Sequence, residues 1–377
     1  MDTYRKYIPF GRPNFSEEEI EAVSAVLRSG WIGMGGETIA FEKELAEFMN
    51  VPNVITVNSC TSALFLSLLA AGVKAGDEVI VPSLTWCATA NVALYLGAKV
   101  VFADVDRETF SLSAETIKAK LSPKTKAVVV VHYGGYAVDM DAVRAVLPTS
   151  VAIVEDCAHA LGSRYASNRM VGSSGNICSF SFYANKNLST GEGGAVAIFD
   201  KEVADHLRSL RQNGTPIDAW KRYINPKSPF GGAMLSELGY KMNYTDLQAC
   251  IGRVQLRRQP EFKAIRQHIA ERYVNELGDI FTFQKDIVSE NNAKHLFPVL
   301  LRSGKLSRND LVAALRQANI GASIHYVPLH VMPLYHSNAS LPVTEEIAEN
   351  ILTLPISASL TEEELDFIIT AIKEICL

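Results

Sequence analysis

From residue 54 to about residue 212, short apolar runs alternate with helical stretches, and this alternation constrains the fold more than any other feature of the chain. The runs at 54–57, 78–81, 99–103, 127–131 and 151–154 are rich in β-branched residues and nearly continuous in their hydrophobicity. A strand without a polar face is buried on both sides, which requires helices above and below a parallel sheet. The stretches at 61–71, 88–96 and 139–147 have the length and composition to supply those layers. Two further runs, 177–182 and 194–199, are separated by a short turn and are expected to pair directly. The expected class is therefore α/β, with a mostly parallel seven-stranded sheet.

The flanking segments extend this plan. Ser16 followed by Glu19 predicts a capping box, opening a helix that carries Ile20, Val23 and Leu27 on one face. A second helix is expected at 38–48. The stretch 214–238 is rich in Gly, Pro and Ser and reads as a long loop of the kind that often serves function. Beyond it, helices are expected at 247–256, 308–317 and 362–374, with a strand at 296–301. This pattern predicts a large domain at 1–250 and a smaller C-terminal α/β domain at 251–377, and 377 residues suit that division.

Charge and cysteine usage narrow the function. Lys and Arg number 36 against 41 Asp and Glu, a net charge of −5, which lacks the basic footprint of a nucleic-acid binder. No CxxC pair occurs among the six cysteines, and most lie in apolar stretches, so neither a disulfide framework nor a metal site is expected. No run approaches the ~20 apolar residues of a membrane span, and no signal core is visible, so a cytoplasmic protein without membrane contact is expected.

In open parallel sheets ligands gather at the carboxyl ends of strands, and four such ends carry polar clusters here. After the first comes Asn58-Ser59-Cys60-Thr61-Ser62-Ala63, leading into a helix whose exposed N–H groups suit a phosphate, with simple N-capping by Ser59 or Thr61 as the competing reading. After the second stands Trp86, which is placed either to stack on a flat ligand or to fill the core. The strand at 151–154 runs into Glu155-Asp156-Cys157-Ala158-His159; a carboxylate there can pair with a protonated ring nitrogen and a histidine can hold a phenolate, unless these residues only cap a loop. The run Ser179-Phe180-Ser181-Phe182-Tyr183-Ala184-Asn185-Lys186-Asn187 sets a lysine among apolar and aromatic residues, followed by Ser189-Thr190-Gly191-Glu192-Gly193-Gly194. Burial lowers an amine's pKa and makes it nucleophilic, as a Schiff-base lysine requires. A phosphate cradle, a stacking ring, a carboxylate and an amine together match pyridoxal 5′-phosphate (PLP) group by group.

The same segments, with Gly30-Trp31-Ile32-Gly33-Met34-Gly35-Gly36, Gly239-Tyr240-Lys241-Met242-Asn243 and His325-Tyr326-Val327-Pro328-Leu329-His330, give the chain a resemblance to the DegT/DnrJ/EryC1/StrS family of PLP-dependent sugar aminotransferases. The resemblance covers nearly the whole chain and implies the fold-type I aminotransferase architecture. It further implies Lys186 as the lysine bonded to the cofactor and as the base of the reaction, and Asp156 as partner of the pyridine nitrogen. By the same resemblance His159 contacts the ring hydroxyl, Trp86 stacks on the ring, and Cys60, Thr61 and Ser181 hold the phosphate. Asn243 is implied to reach the phosphate in a neighbouring subunit, and hence a homodimer with shared active sites; a lysine stands at 241 where many relatives have asparagine. Trp31, His325 and Tyr326 fall where substrate contacts are expected.

The expected reaction moves an amino group from L-glutamate to a keto sugar, nucleotide-linked, in surface-polysaccharide or natural-product biosynthesis. A cyclitol or other non-nucleotide ketone is the alternative acceptor. A PLP-dependent sugar dehydratase of the same fold would carry histidine at position 186, and a non-enzymatic regulator would not need an intact Lys186 and Asp156.

Overall fold

The computed structural model describes residues 6–215, 235, 237–302, 304 and 306–376. Its alternating region forms one sheet of seven strands: β1 (Asn53–Val57), β2 (Glu78–Pro82), β3 (Lys99–Ala103), β4 (Thr125–Val131), β5 (Ala152–Asp156), β6 (Ile177–Ser181) and β7 (Gly194–Ile198). Their order is β1-β7-β6-β5-β4-β2-β3. The pairs from β6 through β5, β4 and β2 to β3 are parallel, whereas β7 runs against both β1 and β6. The two runs expected to pair directly do so, as an antiparallel pair. Most of the expected loop at 214–238 lies outside the described residues.

Alternate residues of each strand enter different cores, as the pleat demands. Val79, Val81, Val129 and Val154 pack beneath α3 (Cys60–Ala70) and α4 (Ala88–Tyr95). Ile80, Val128, Val130 and Ile153 face the opposite layer, with Phe41 and Leu45 of α2 (Gly36–Met49). Further on, β8 (Phe281–Phe283), β9 (Phe297–Leu301) and β10 (Ile351–Leu354) form an antiparallel sheet in the order β10-β9-β8. Its core draws on three later helices, at Gln259–Leu277, Arg308–Gln317 and Glu362–Cys376, and on Ile8 from the start of the chain.

Helix α1 (Glu17–Ser29) begins at the expected capping box of Ser16 and Glu19, but its buried face differs from the expected one. Ile20 and Leu27 are 55% and 57% exposed, while Glu19 and Val26 are buried. The reason is electrostatic. The Glu19 carboxylate accepts from Gln255 Nε2 at 2.7 Å and Arg258 Nη1 at 3.1 Å, residues at the end of the helix Asp246–Arg257 and just beyond it. A charge-assisted network of that kind fixes which side of the helix faces inward.

The helix α2 has glycine at its N-cap and no side-chain cap of its own. Asp246, only 4% exposed, takes that role from across the fold, accepting from the Gly35 and Thr38 amides at 2.8 and 2.9 Å and from the Thr38 hydroxyl at 2.7 Å. Asp246→Ala should lower the folding free energy by about 2–3 kcal/mol, because buried donors lose a charged acceptor. Asp246→Asn, which keeps one acceptor oxygen, should lose less than half of that. Urea midpoints of the two variants check the ranking.

Candidate active site

The parallel strands end at one edge of the sheet, which gathers the sequence's polar clusters there. Because β7 runs the other way, its first residue reaches the same edge: Gly194 lies between Val57 of β1 and Ser181 of β6. A Cβ at Gly194 would stand 2.7 Å from the Cys60 amide nitrogen and 2.6 Å from the Ser59 carbonyl carbon. Glycine is therefore what lets the N-terminus of α3 close down on the strand ends. Ser59 is the N-cap, accepting from the Ser62 amide at 3.1 Å. Cys60 and Thr61 follow it at the first two helical positions, where amides have no acceptor within the helix and can serve an anion. Capping and anion binding are thus divided among neighbouring residues.

These residues line a cavity of about 550 Å³ together with Trp86, Thr89, Asp156, His159, Ser181, Asn185, Lys186, His325 and Tyr326. Nine of the sequence-derived candidates are brought together in it: Cys60, Thr61, Trp86, Asp156, His159, Ser181, Lys186, His325 and Tyr326. Two are not. Trp31 lies in a separate cavity beside Glu37, Asp246 and Arg253, with its indole N–H donating to the Met34 carbonyl at 3.1 Å. Asn243 bridges to Val57 and donates to the Tyr244 carbonyl at 3.1 Å.

Alternation along β5 separates its two acids. Glu155 points into the protein, where it accepts from His132 at 2.7 Å, Tyr165 at 2.6 Å and Asn176 at 2.7 Å, and also from Ser174. The Val138 amide donates to His132 Nδ1, so Nε2 carries the hydrogen that goes to Glu155. His132, Glu155 and Cys157 offer donor atoms within 4.8 Å of one another, yet the lone pairs of the first two are engaged in this network. Asp156 points into the cleft. It accepts from the Thr89 hydroxyl at 2.8 Å and the Ala158 amide at 3.1 Å, but burial outweighs these bonds and pushes its pKa up. A buried carboxylate in that condition gains from a cation placed opposite it.

Lys186, like Asp156, has no ion-pair partner among the described residues. Burial lowers its pKa to about 8, against weaker opposing effects of Cys60 and Asp156. Its Nζ lies 3.1 Å from His295 Nε2. Beside it, burial and then the Lys186 charge hold His159 well below the ordinary histidine range. The Gly134 amide donates to His159 Nδ1 at 3.3 Å, so the neutral ring carries its hydrogen on Nε2, 3.2 Å from the Tyr326 hydroxyl. Tyr133 donates to the His325 carbonyl, and His325 Nδ1 lies 2.9 Å from the Thr353 hydroxyl. The segment after Tyr326 is tied to the end of β2 through Ser83, whose hydroxyl contacts His330 Nδ1 at 2.7 Å.

His295, Thr89, Asn185 and Tyr133 were not singled out from the sequence. Thr89 lies within a helix and His295 precedes its strand, so a survey of residues following strands passes over both. Tyr133 does follow a strand, β4, but carries no charge to mark it.

The cleft fits a phosphorylated pyridine aldehyde. It offers an amine held near neutrality, a buried acid lacking a cation, open helical amides, and the buried Asn185 Oδ1, which has no hydrogen-bond partner among the described residues.

Comparison with known proteins agrees. Residues 13–373 match the model of the DegT/DnrJ/EryC1/StrS aminotransferase family. The spore coat polysaccharide biosynthesis protein SpsC of Bacillus subtilis is 38% identical over 98% of this chain and 97% of its own length. Among solved structures, the putative sugar aminotransferase Spr1654 of Streptococcus pneumoniae in its PMP-form superposes with a TM-score of 0.89 at 31% identity, covering 98% of both chains. Its PLP-form matches equally well, at a TM-score of 0.89 and 30% identity over 98% of both chains. The aminotransferase TlmJ of Streptoalloteichus hindustanus gives 0.89 at 34% identity over 97% of this chain and 98% of its own. The chain belongs to the DegT/DnrJ/EryC1/StrS aminotransferase family and is a transaminase that uses pyridoxal 5′-phosphate.

Proposed function

We propose that this enzyme transfers an amino group from L-glutamate to the ketone of a nucleotide-linked 4-keto or 3-keto deoxysugar, for surface-polysaccharide or natural-product assembly. The observation that carries this reading is the convergence of a half-buried Lys186 and a buried Asp156, not ion-paired with each other, on one cavity beside the open end of α3. The sugar acceptor is supported by the relatives, of which SpsC is named for spore coat polysaccharide biosynthesis and Spr1654 as a putative sugar aminotransferase.

The chain's own residues divide the work. Lys186 binds the cofactor's aldehyde and, once released, moves a proton at the donor's α-carbon, for which a pKa of about 8 suits it. Asp156, locked by Thr89 and Ala158, keeps the pyridine nitrogen protonated. When bound, the cofactor supplies the electron sink that makes the α-proton removable. Cys60, Thr61 and Ser181 hold its phosphate, Trp86 stacks on its ring, and the Nε2–H of His159 serves the ring hydroxyl. His325 and Tyr326 bound the acceptor side of the cleft.

A homodimer with shared sites belongs to the same proposal. Trp86 is 60% exposed at the cleft, and Ile20 and Leu27 leave an apolar stripe of α1 uncovered. Asn243 and Trp31, which lie outside this chain's own cleft, would then serve the neighbour's. A smaller C-terminal domain is supported by the separate core around the small sheet, which Ile8 also joins, and its proposed start near residue 250 falls within the helix Asp246–Arg257.

The holoenzyme should show a visible band that glutamate bleaches and 2-oxoglutarate restores, and a panel of keto sugars and cyclitol ketones followed by mass should show amination of the nucleotide-linked sugars; amination of the cyclitol alone would replace the acceptor assignment. Asp156→Asn should cut the glutamate half-reaction by at least about 100-fold with folding unchanged, because loss of a positioned electrostatic group costs that much. Gly194→Ala should weaken cofactor binding by at least about tenfold, read by equilibrium titration, since displaced helical amides lose their phosphate geometry. In cofactor-free protein, acetylation of Lys186 mapped by mass should rise with pH and level off above about pH 8, where its neutral form is already dominant, while surface lysines continue to rise toward about pH 10.

A further inference from the structure

Hydrogen bonds around Lys186 fix more than its position. The next residue, Asn187, donates through Nδ2 to the Ala293 carbonyl at 2.8 Å, which determines the orientation of its amide. Its Oδ1 therefore faces His295 Nδ1, 3.3 Å away, and only a protonated Nδ1 can make that bond. Gln259 holds the Asn187 carbonyl at 3.0 Å, so this frame is itself anchored. A neutral imidazole has one N–H; with it on Nδ1, the Nε2 lone pair points toward Lys186 Nζ at 3.1 Å.

The ring has no room for a second proton. His295 is 4% exposed, and burial, followed by the charge of Lys186, holds its pKa well below the usual range. His159, His325 and Arg266 act on it in the same direction, while Asp156 and Cys60 act on Lys186 in the opposite one, favouring its charged form. His159, its ring centroid 4.8 Å away, has the opposite tautomer and gives its Nε2–H to the cleft. The two histidines thus split the tasks of accepting and donating.

We infer that His295 is the positioning residue of the working amine: its Nε2 receives an N–H of Lys186 whenever that amine is released from the cofactor, and so keeps it aimed into the cleft. This rests on the proposed assignment of Lys186 as the cofactor-linked lysine. His295 neither gains nor loses a proton in this role, so the proton moved during the reaction stays with Lys186.

The tautomer can be read in the unaltered protein. With the cofactor removed and histidine labelled with ¹⁵N, the His295 signal, assigned by its loss in His295→Gln, should report Nδ1 protonated and Nε2 bare between about pH 6 and 9. A signal from an Nε2-protonated or doubly protonated ring overturns the inference. In the glutamate half-reaction, His295→Leu should slow the single-turnover rate by at least about tenfold with donor KM unchanged, and should move the Lys186 acetylation midpoint in cofactor-free protein below its present value. His295→Gln, which can place an amide oxygen where Nε2 stood, should stay within about fivefold of the parent rate. Parental rate and midpoint in His295→Leu overturn the role, and the tautomer measurement decides the matter even where that variant fails to fold. Borohydride trapping and peptide mapping separate the two levels. An unmodified Lys186 removes the cofactor assignment itself, whereas a modified Lys186 with an unaffected Leu variant removes only the role of His295.

Discussion

The site depends on two opposite charges, a buried Asp156 and a half-buried Lys186, that meet at one sheet edge without an ion pair between them. Lys186 and Asp156 both line the same cavity, and burial moves both toward their neutral forms, the amine downward and the acid upward. Had they formed a tight ion pair, each would have been satisfied within the protein and dull toward a ligand. Without that pair, a cationic ring nitrogen beside Asp156 and an aldehyde at Lys186 would relieve the cost of burial, in keeping with the proposed roles of the two residues.

The rest of the sheet serves that separation. The pleat of β5 sends Glu155 into a closed network of His132, Tyr165 and Asn176, while Asp156, one residue on, faces the cleft with only two donors. Adjacent acids thus acquire different functions from the two-residue period of a strand alone. The same logic at β7 requires a glycine, because α3 approaches the start of that strand too closely for any side chain.

Much of this could be read from the chain. Continuous apolar runs announced a parallel sheet, and the residues following them, Cys60, Trp86, Asp156 and Lys186, meet in one cavity. What could not be read falls into two kinds. His295 comes just before β9, far along the chain, and reaches Lys186 only because the small sheet packs beside the large one; no local pattern encodes that meeting. The buried face of α1 departs from its hydrophobic pattern because such a pattern says which residues favour burial but not against what. Glu19 is drawn inward by Gln255 and Arg258, and Ile20 and Leu27 are left outside.

The reversed direction of β7 has a mechanical consequence. Its pairing with β6 from Ser181–Gly194 to Cys178–Ala197 makes the intervening segment a closed hairpin arch, with both feet bonded to the same sheet. The Phe182 amide to the Gly193 carbonyl and the Thr190 amide to the Phe182 carbonyl, both 2.9 Å, brace the arch further. Lys186 is therefore carried on an arch braced at both feet and across its span. Residues 325–330, in contrast, are borne by the C-terminal part of the chain and fastened to the sheet edge through Ser83. His325 and Tyr326 therefore reach the cavity from a part of the chain that can vary in sequence without disturbing the arch that carries Lys186.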